Sequence, residues 1–306
     1  MNYTLHQLKI FYKIYQNQSI TKTSEELHLS QPAVSIQLKN FQDQFSIPLT
    51  EHIGRKIYIT DFGKEIALTA EKILNDVESI TYKTDAYKGI LTGRLKFSIA
   101  STGKYVMPYF LSGFMQKYKA VDLAISVTNK TKVIRSLEEN ETDFALVSVL
   151  PENLSINSVD LIKNQLFLIG SKASGYDLST IKKLNDLPLI LREPGSATRR
   201  AMENFISSKK VNSSKKIELT SNEAVKQAVI AGLGFSIMPL IGIKNELMTK
   251  DLEIIPMEGL PITTQWQMVW LSSKQLSPVA KAFLSYIETN KDMISQNHFG
   301  WINETR

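Results

Sequence analysis

The sequence predicts three parts in series: a small helical module closed by a β-hairpin, one long helix, and an α/β domain of two lobes. Three observations carry that expectation. Residues 18–45 hold two short amphipathic helices with almost nothing between them. Residues 61–88 repeat apolar side chains in alternating steps of four and three. From Arg94 the texture changes to strands and helices in alternation. The expected boundaries are 1–60 for the module, 61–90 for the linking helix, 91–295 for the two lobes and 296–306 for a patternless tail.

Length and charge bound the rest. A chain of 306 residues suits two domains and a connector. The net charge of +6 is mildly basic, yet residues 1–90 carry ten basic and ten acidic side chains. Any affinity of that module for a polyanion must therefore come from local placement rather than bulk charge. There is no cysteine, which excludes disulfides and thiolate metal sites. The N-terminus reads as an amphipathic helix and not as a signal peptide, and no apolar run approaches the ~20 residues of a membrane span. The expected compartment is the cytoplasm, away from membranes.

In the first helix Leu5, Leu8, Phe11 or Tyr12, and Tyr15 share a face. Ile20, Ser24 and Leu27 make the inner face of the second, and Val34, Leu38, Phe41 and Phe45 that of the third. Ser30 stands where a hydroxyl can cap the third helix, and Pro32 falls in its first turn, where a missing N–H leaves no bond unmade. The outward face offers Gln31, Ser35, Ile36, Lys39 and Gln42. A tight turn followed by a polar, acid-free leading end is what a major-groove reader requires. Ile53–Ile59 alternates around Gly54-Arg55-Lys56 and reads as a hairpin whose tip presents cations to phosphates. Ser30, Gln31, Pro32, Ser35, Gln37, Lys39, Arg55 and Lys56 are the candidate contacts to double-stranded DNA.

The long helix carries Ile66, Ala70, Ile73, Val77, Ile80, Thr84 and Tyr87 on one stripe. A lone helix with that stripe exposes an apolar seam, so a second copy of the chain is expected, with Ile66, Ile73, Val77 and Ile80 in the contact. Gly89 and Gly93 make the expected hinge.

Beyond the hinge, strands are expected at 95–100, 123–128 and 144–149 in one lobe, then at 165–170, 187–191, 217–219 and 235–238 in another. Trp266–Leu271 and a helix over 278–289 return the chain to the first lobe. Two alternating halves joined by crossovers are the build of a periplasmic-type binding protein. Ligands of open α/β sheets sit at the carboxyl ends of strands. Those ends carry Ser101, Thr102, Thr128, Ser148 and the turn Gly195, Ser196, Thr198, Arg199. Hydroxyls and amides at helix starts, one turn per lobe, suit a small anion.

The stretches LHQLKIFYKIYQNQSIT, SEELHLSQPAVS and IPLTEHIGRKIYITDFGKEI, in that order and spacing, resemble the winged helix-turn-helix of LysR-type transcriptional regulators. The resemblance continues to about residue 290. REPGSATRRAMENF and NEAVKQAVIAGLGFSIMP are similar to the branch with carbon-fixation and sulfur-assimilation regulators. Three places depart from the usual pattern: Thr23-Ser24 replaces paired alanines, Thr50 a phenylalanine and Ile36 a frequent arginine. The resemblance implies a homodimer or homotetramer that binds double-stranded DNA and a small anionic effector, with no cofactor and with RNA polymerase as a further candidate partner.

Rival classes are an enzyme, a solute-binding protein and a DNA binder that senses nothing. Of the four histidines, His6, His28 and His52 lie in the first module and His298 in the tail. The expected cleft thus has neither histidine nor cysteine for acid–base or nucleophilic work. The missing signal peptide argues against a solute-binding protein. A steep salt slope with no sequence preference would mark the third rival.

Overall fold

The computed structural model describes residues 2–54, 56–87, 90–185, 187–211 and 215–303, with the side chains of 78–79 and 81–87 outside that description. The chain forms two compact units, Met1–Ile90 and Leu91–Arg306.

In the first unit, α1 (Leu5–Asn17), α2 (Ile20–Leu27) and α3 (Gln31–Gln42) precede a hairpin of β1 (Thr50–Ile53) and β2 (Lys56–Ile59), and α4 runs over Asp61–Tyr87. Side-chain oxygens of Thr4, Ser19 and Ser30 cap the first three helices. The core joins Leu8, Ile10, Phe11 and Ile14 to Val34, Leu38, Phe41 and Leu49. Leu5 was expected on the inner face but stays 47% exposed, because α1 packs under both α3 and α4 and its buried arc runs through Ile10 and Ile14. The Ser24 hydroxyl donates to the Thr21 carbonyl at 2.7 Å, so a polar residue fits the tight α2–α3 corner. Thr60 closes the hairpin: its hydroxyl donates to Pro48 O at 2.7 Å and accepts from Gly63 N at 2.9 Å. Gly63 is required there, since a Cβ would lie 2.1 Å from the Leu49 carbonyl oxygen.

The heptad stripe of α4 divides in two. Ala70 is buried and Ile66 and Ile73 are half-buried against their own module, whereas Val77 and Ile80 are 37% and 63% exposed. The expectation that Ile66 and Ile73 face a second copy is thereby corrected: α1 already covers that part of the helix. The side chains of Thr84 and Tyr87, and the whole of Gly89, lie outside the description.

In the second unit, β3 (Gly93–Ala100), β4 (Val121–Thr128) and β5 (Phe144–Val147) are parallel, with α5 (Met107–Lys117) and α6 (Lys130–Glu138) between them. β6 (Ile156–Gly170) and β11 (Ile262–Leu271) form one long antiparallel ladder. β11 joins β5 at one end, and β6 carries β9 (Ser236–Pro239) and β10 (Glu253–Ile254) at the other. The two lobes therefore share a continuous sheet; the expected strand at 165–170 is only the distal part of β6. In the second lobe β7 (Pro188–Arg192) pairs with β8 (Lys215–Leu219), flanked by α7 (Ala197–Ser208) and α8 (Asn222–Ile230). A short α9 (Lys244–Thr249) follows.

α10 spans Pro278–Phe299 and packs on α5 and β3. Here the patternless tail is corrected. Ile294, Phe299 and Ile302 are buried in the first lobe's core, so the chain from 290 to 302 is structural. Its apolar residues are too widely spaced to announce a stripe on their own.

Candidate DNA-reading face and effector cleft

On α3, Gln31, Pro32, Ser35, Ile36 and Lys39 are exposed, as is Ser30 before it. Gln37, more than half a turn from Ser35, is half-buried at the side of that face. The Gln31 amide donates to the Thr21 hydroxyl, which fixes the side chain while leaving its carbonyl oxygen free to accept. Gln42 does not face outward. Its Oε1 accepts from Thr50 N at 3.1 Å and Thr50 Oγ1 at 2.6 Å, tying α3 to the hairpin. Thr50, a departure from the usual phenylalanine, thus replaces an apolar contact with a buried polar clasp. Ile36 is 56% exposed, an apolar side chain in the middle of a polar face. Lys56 is exposed on β2, and Arg55 lies outside the described residues.

The cleft between the lobes is built largely from strand ends and helix starts. A 3-10 turn, Ser101–Tyr105, follows β3; α6 starts beside it, capped by Asn129; α7 starts opposite, capped by Ser196. Two helix N-termini thus bring partial positive charge to one space. Ser101, Thr102, Ser148, Ser196 and Thr198 line a narrow cavity together with Asn129, Lys130, Asn164 and Trp266. Its volume of about 20 Å³ holds about one water. A wider hollow of about 920 Å³ shares Lys130, Ser196 and Ala197 with it and includes Gly195, Arg199 and Arg200.

Thr128 ends β4 but lines neither space, and Arg199 lines only the wide one. The Arg199 guanidinium is already engaged, at 2.7 Å by Glu203, 2.5 Å by Glu218 and 2.9 Å by the Arg192 carbonyl. Its charge is spent on its own lobe. Those two carboxylates hold its pKa above the ordinary arginine value. Arg199, expected among the contacts of the anion, lines the wide hollow only and is bound within its own lobe.

The structure adds residues that the motif reading missed. Arg192 is 4% exposed and spans the lobes: Nη2 donates to Ser101 Oγ at 3.1 Å, and Nε and Nη2 bind Glu193 at 2.8 and 2.9 Å. Asn222 accepts from Arg192 and donates to Thr102. A backbone bond from Thr131 N to Gly195 O, at 3.4 Å, crosses the same gap. Gly195 has φ of +85°, and a Cβ there would meet Thr131 Oγ1 at 2.7 Å. A sequence signal existed for Arg192, a lone cation ending an apolar strand.

Lys130 stands at the mouth with no ion pair among the described residues. Burial lowers its pKa below the usual lysine value, helped by the charge of Arg200 and opposed by Glu152. Trp266 Nε1 and Asn164 Oδ1 are buried without a hydrogen-bond partner among the described residues. The ladder register shifts between Trp266 and Gln267, and such a bulge re-aims the side chains beside it. The cavity thus gathers a partly buried cation, an unmatched donor and an unmatched acceptor, a set that a polar ligand can satisfy.

The fold and these two faces define a DNA-binding regulator whose second unit receives a ligand. Residues 5–64 match the bacterial regulatory helix-turn-helix protein of the lysR family, and residues 88–291 match the LysR substrate binding domain. The chain belongs to the LysR family of transcriptional regulators. It is 35% identical over 297 residues to the HTH-type transcriptional activator CmpR of Synechocystis sp. (strain ATCC 27184 / PCC 6803 / Kazusa), across 96% of this chain and 98% of that protein. It is 33% identical over 290 residues to a RuBisCO operon transcriptional regulator of Allochromatium vinosum, across 94% of this chain and 96% of that one. Among solved structures, the Synechocystis PCC6803 CcmR regulatory domain in complex with 2-PG superposes with a TM-score of 0.61 at 32% identity, covering 65% of this chain and 98% of that one. The expected place beside carbon-fixation regulators is met. No helix among the described residues is long and apolar enough to cross a membrane.

Proposed function

We propose that this regulator is switched by a small phosphorylated or carboxylated anion that enters between the lobes and engages Lys130, Ser101, Thr102 and the start of α7. The observation that carries the reading is Lys130, a partly desolvated ammonium with no ion pair among the described residues, beside the unmatched Trp266 donor. The 2-phosphoglycolate bound by the CcmR regulatory domain has the same chemistry. The narrow cavity is too small for such a ligand, so binding parts the lobes or draws them over the wider hollow. Either movement trades the Arg192–Ser101 and Thr131–Gly195 contacts for ligand contacts, which supplies the differential affinity a switch requires. Isothermal titration of the full chain with 2-phosphoglycolate tests this. Binding should weaken at least tenfold in Lys130→Gln; undiminished binding in that variant would remove the assignment.

On DNA, Gln31 and Ser35 read base edges, Ile36 lays its methyl groups on a thymine methyl, and Lys39, Arg55 and Lys56 hold phosphates. Val77 and Ile80 form the seam with a second copy in the cytoplasm, placing two reading helices on a two-fold operator. The protein acts by binding and carries out no reaction.

A further inference from the structure

A second hollow in the effector unit, of about 360 Å³, lies between the 3-10 turn, the start of α5, α9 and the end of α10. We propose that it is a separate ligand site, taking a flat aromatic ring that bears an anionic group. Its size is within the range of small-molecule sites.

The walls are aromatic. Tyr109 is 46% exposed and stands 4.8 Å from the His298 ring, centroid to centroid, with the planes tilted by 38°. Tyr105 and Trp301 add two more rings, and Asn245 and the Glu246 carboxylate also line the space. An exposed tyrosine beside an imidazole offers a face on which a planar group can stack. The cations are placed over these rings: Lys104 Nζ is 5.0 Å from the Tyr105 centroid and Lys244 Nζ is 4.7 Å from that of Trp301. Neither ammonium has a salt bridge among the described residues.

A third lysine shows what a satisfied cation looks like here. Lys226, at the floor, is bound by Glu246 at 2.7 Å and Glu223 at 3.1 Å. Against its two carboxylates the three lysines leave one net positive charge, carried by Lys244 and by Lys104, which also feels Glu223. Both sit at ring faces from which an anion can recruit them, since a charge-assisted bond is stronger than a cation–π contact. Rings select the flat part of the ligand and the two lysines its charge.

Two elements join this hollow to the effector cleft. The 3-10 turn gives Ser101 and Thr102 to the cleft, and Lys104 and Tyr105 to the hollow. On α8, Asn222 bonds Thr102 and Arg192, while Lys226 one turn later lies under the hollow. Occupancy at one end therefore biases the other, and the bias is reciprocal. This coupling, unlike the site itself, rests on the cleft's being the effector site.

The test is isothermal titration of the full chain with two probes, adenosine monophosphate and salicylate, which share the ring and the charge but differ in source. At least one should bind once per chain, with affinity reduced tenfold or more in both Tyr109→Ala and Lys244→Glu. Both residues are at the surface, and neither variant should alter the titration with 2-phosphoglycolate alone. In wild type the bound probe should change the 2-phosphoglycolate affinity by threefold or more. The site is overturned if neither probe binds at millimolar concentration, if both variants bind as wild type does, or if the probe is displaced competitively by 2-phosphoglycolate. Probe binding with no response to 2-phosphoglycolate would keep the site and overturn only the cleft reading and the coupling.

Discussion

Ile36 offers a direct test of how this recognition helix reads DNA. Its side chain is 56% exposed, and α3 gives it no neighbour that would cover it in the free protein. Burying a whole isoleucine side chain contributes about 1.5–3 kcal/mol, so covering the exposed half contributes about 1 kcal/mol, or roughly fivefold in affinity. The partner suited to it in the major groove is the C5-methyl of thymine. The assay is fluorescence anisotropy on an operator selected from random DNA, with each thymine replaced in turn by deoxyuridine, which deletes only that methyl. Wild type should lose about fivefold at one thymine per half-site, and Ile36→Ala should lose nothing further there. The variant should fold, because alanine is the better helix former at an exposed position. The cycle isolates the methyl–methyl contact from the rest of the interface. Equal losses for both proteins at every thymine would refute the reasoning.

Three further outcomes are expected. Because burial holds the Lys130 pKa below the ordinary 10.5, the ammonium is lost as pH rises through that lowered value, and 2-phosphoglycolate affinity should fall with it, the phosphate being already dianionic. Over the same window the unliganded fold should gain stability, since the unfolded chain then binds the extra proton; titrations of Lys130→Gln should show neither trend. Ile80→Glu places a charge in the seam, at several kcal/mol, and sedimentation velocity should show a smaller species; an unchanged mass would remove the seam from α4. Gly63→Ala forces a Cβ to within 2.1 Å of the Leu49 oxygen, and overpacking of this kind costs about 2 kcal/mol, roughly 10 °C in the DNA-binding unit's melting transition.

Much of the first unit was legible because its signals are local. Ser30 and Pro32 mark the start of α3, Gly54 turns the hairpin, and Val34, Leu38 and Phe41 keep a helical period. What misled was the stripe on α4, where one heptad pattern serves two partners. Ile66 and Ile73 repeat with the same period as Val77 and Ile80, yet the first pair packs on its own module and the second is exposed. Periodicity reports which residues share a face and is silent on what covers it. The tail failed for the converse reason. Ile294, Phe299 and Ile302 are buried by elements distant in sequence, Phe299 against Tyr109 and Phe110 of α5, and only the tertiary fold tells a sparse stripe from none.

The cleft shows the same division at the level of single side chains. Ser101, Thr102 and Ser196 could be named because each stands where a strand gives way to a helical turn, a position readable one element at a time. Arg192, Asn222 and Trp266 come from three other elements, and their roles exist only where those elements meet. A buried arginine is tolerable because Glu193 neutralises it and Ser101 and Asn222 take its remaining donors. That satisfaction makes Arg192 a poor ligand for an incoming anion and a good strut between the lobes. Lys130 is its opposite, a cation held partly out of water with no ion pair among the described residues. Under the proposed reading the two charges divide the labour: the matched one ties the lobes together, and the other draws in the anion that competes with that tie.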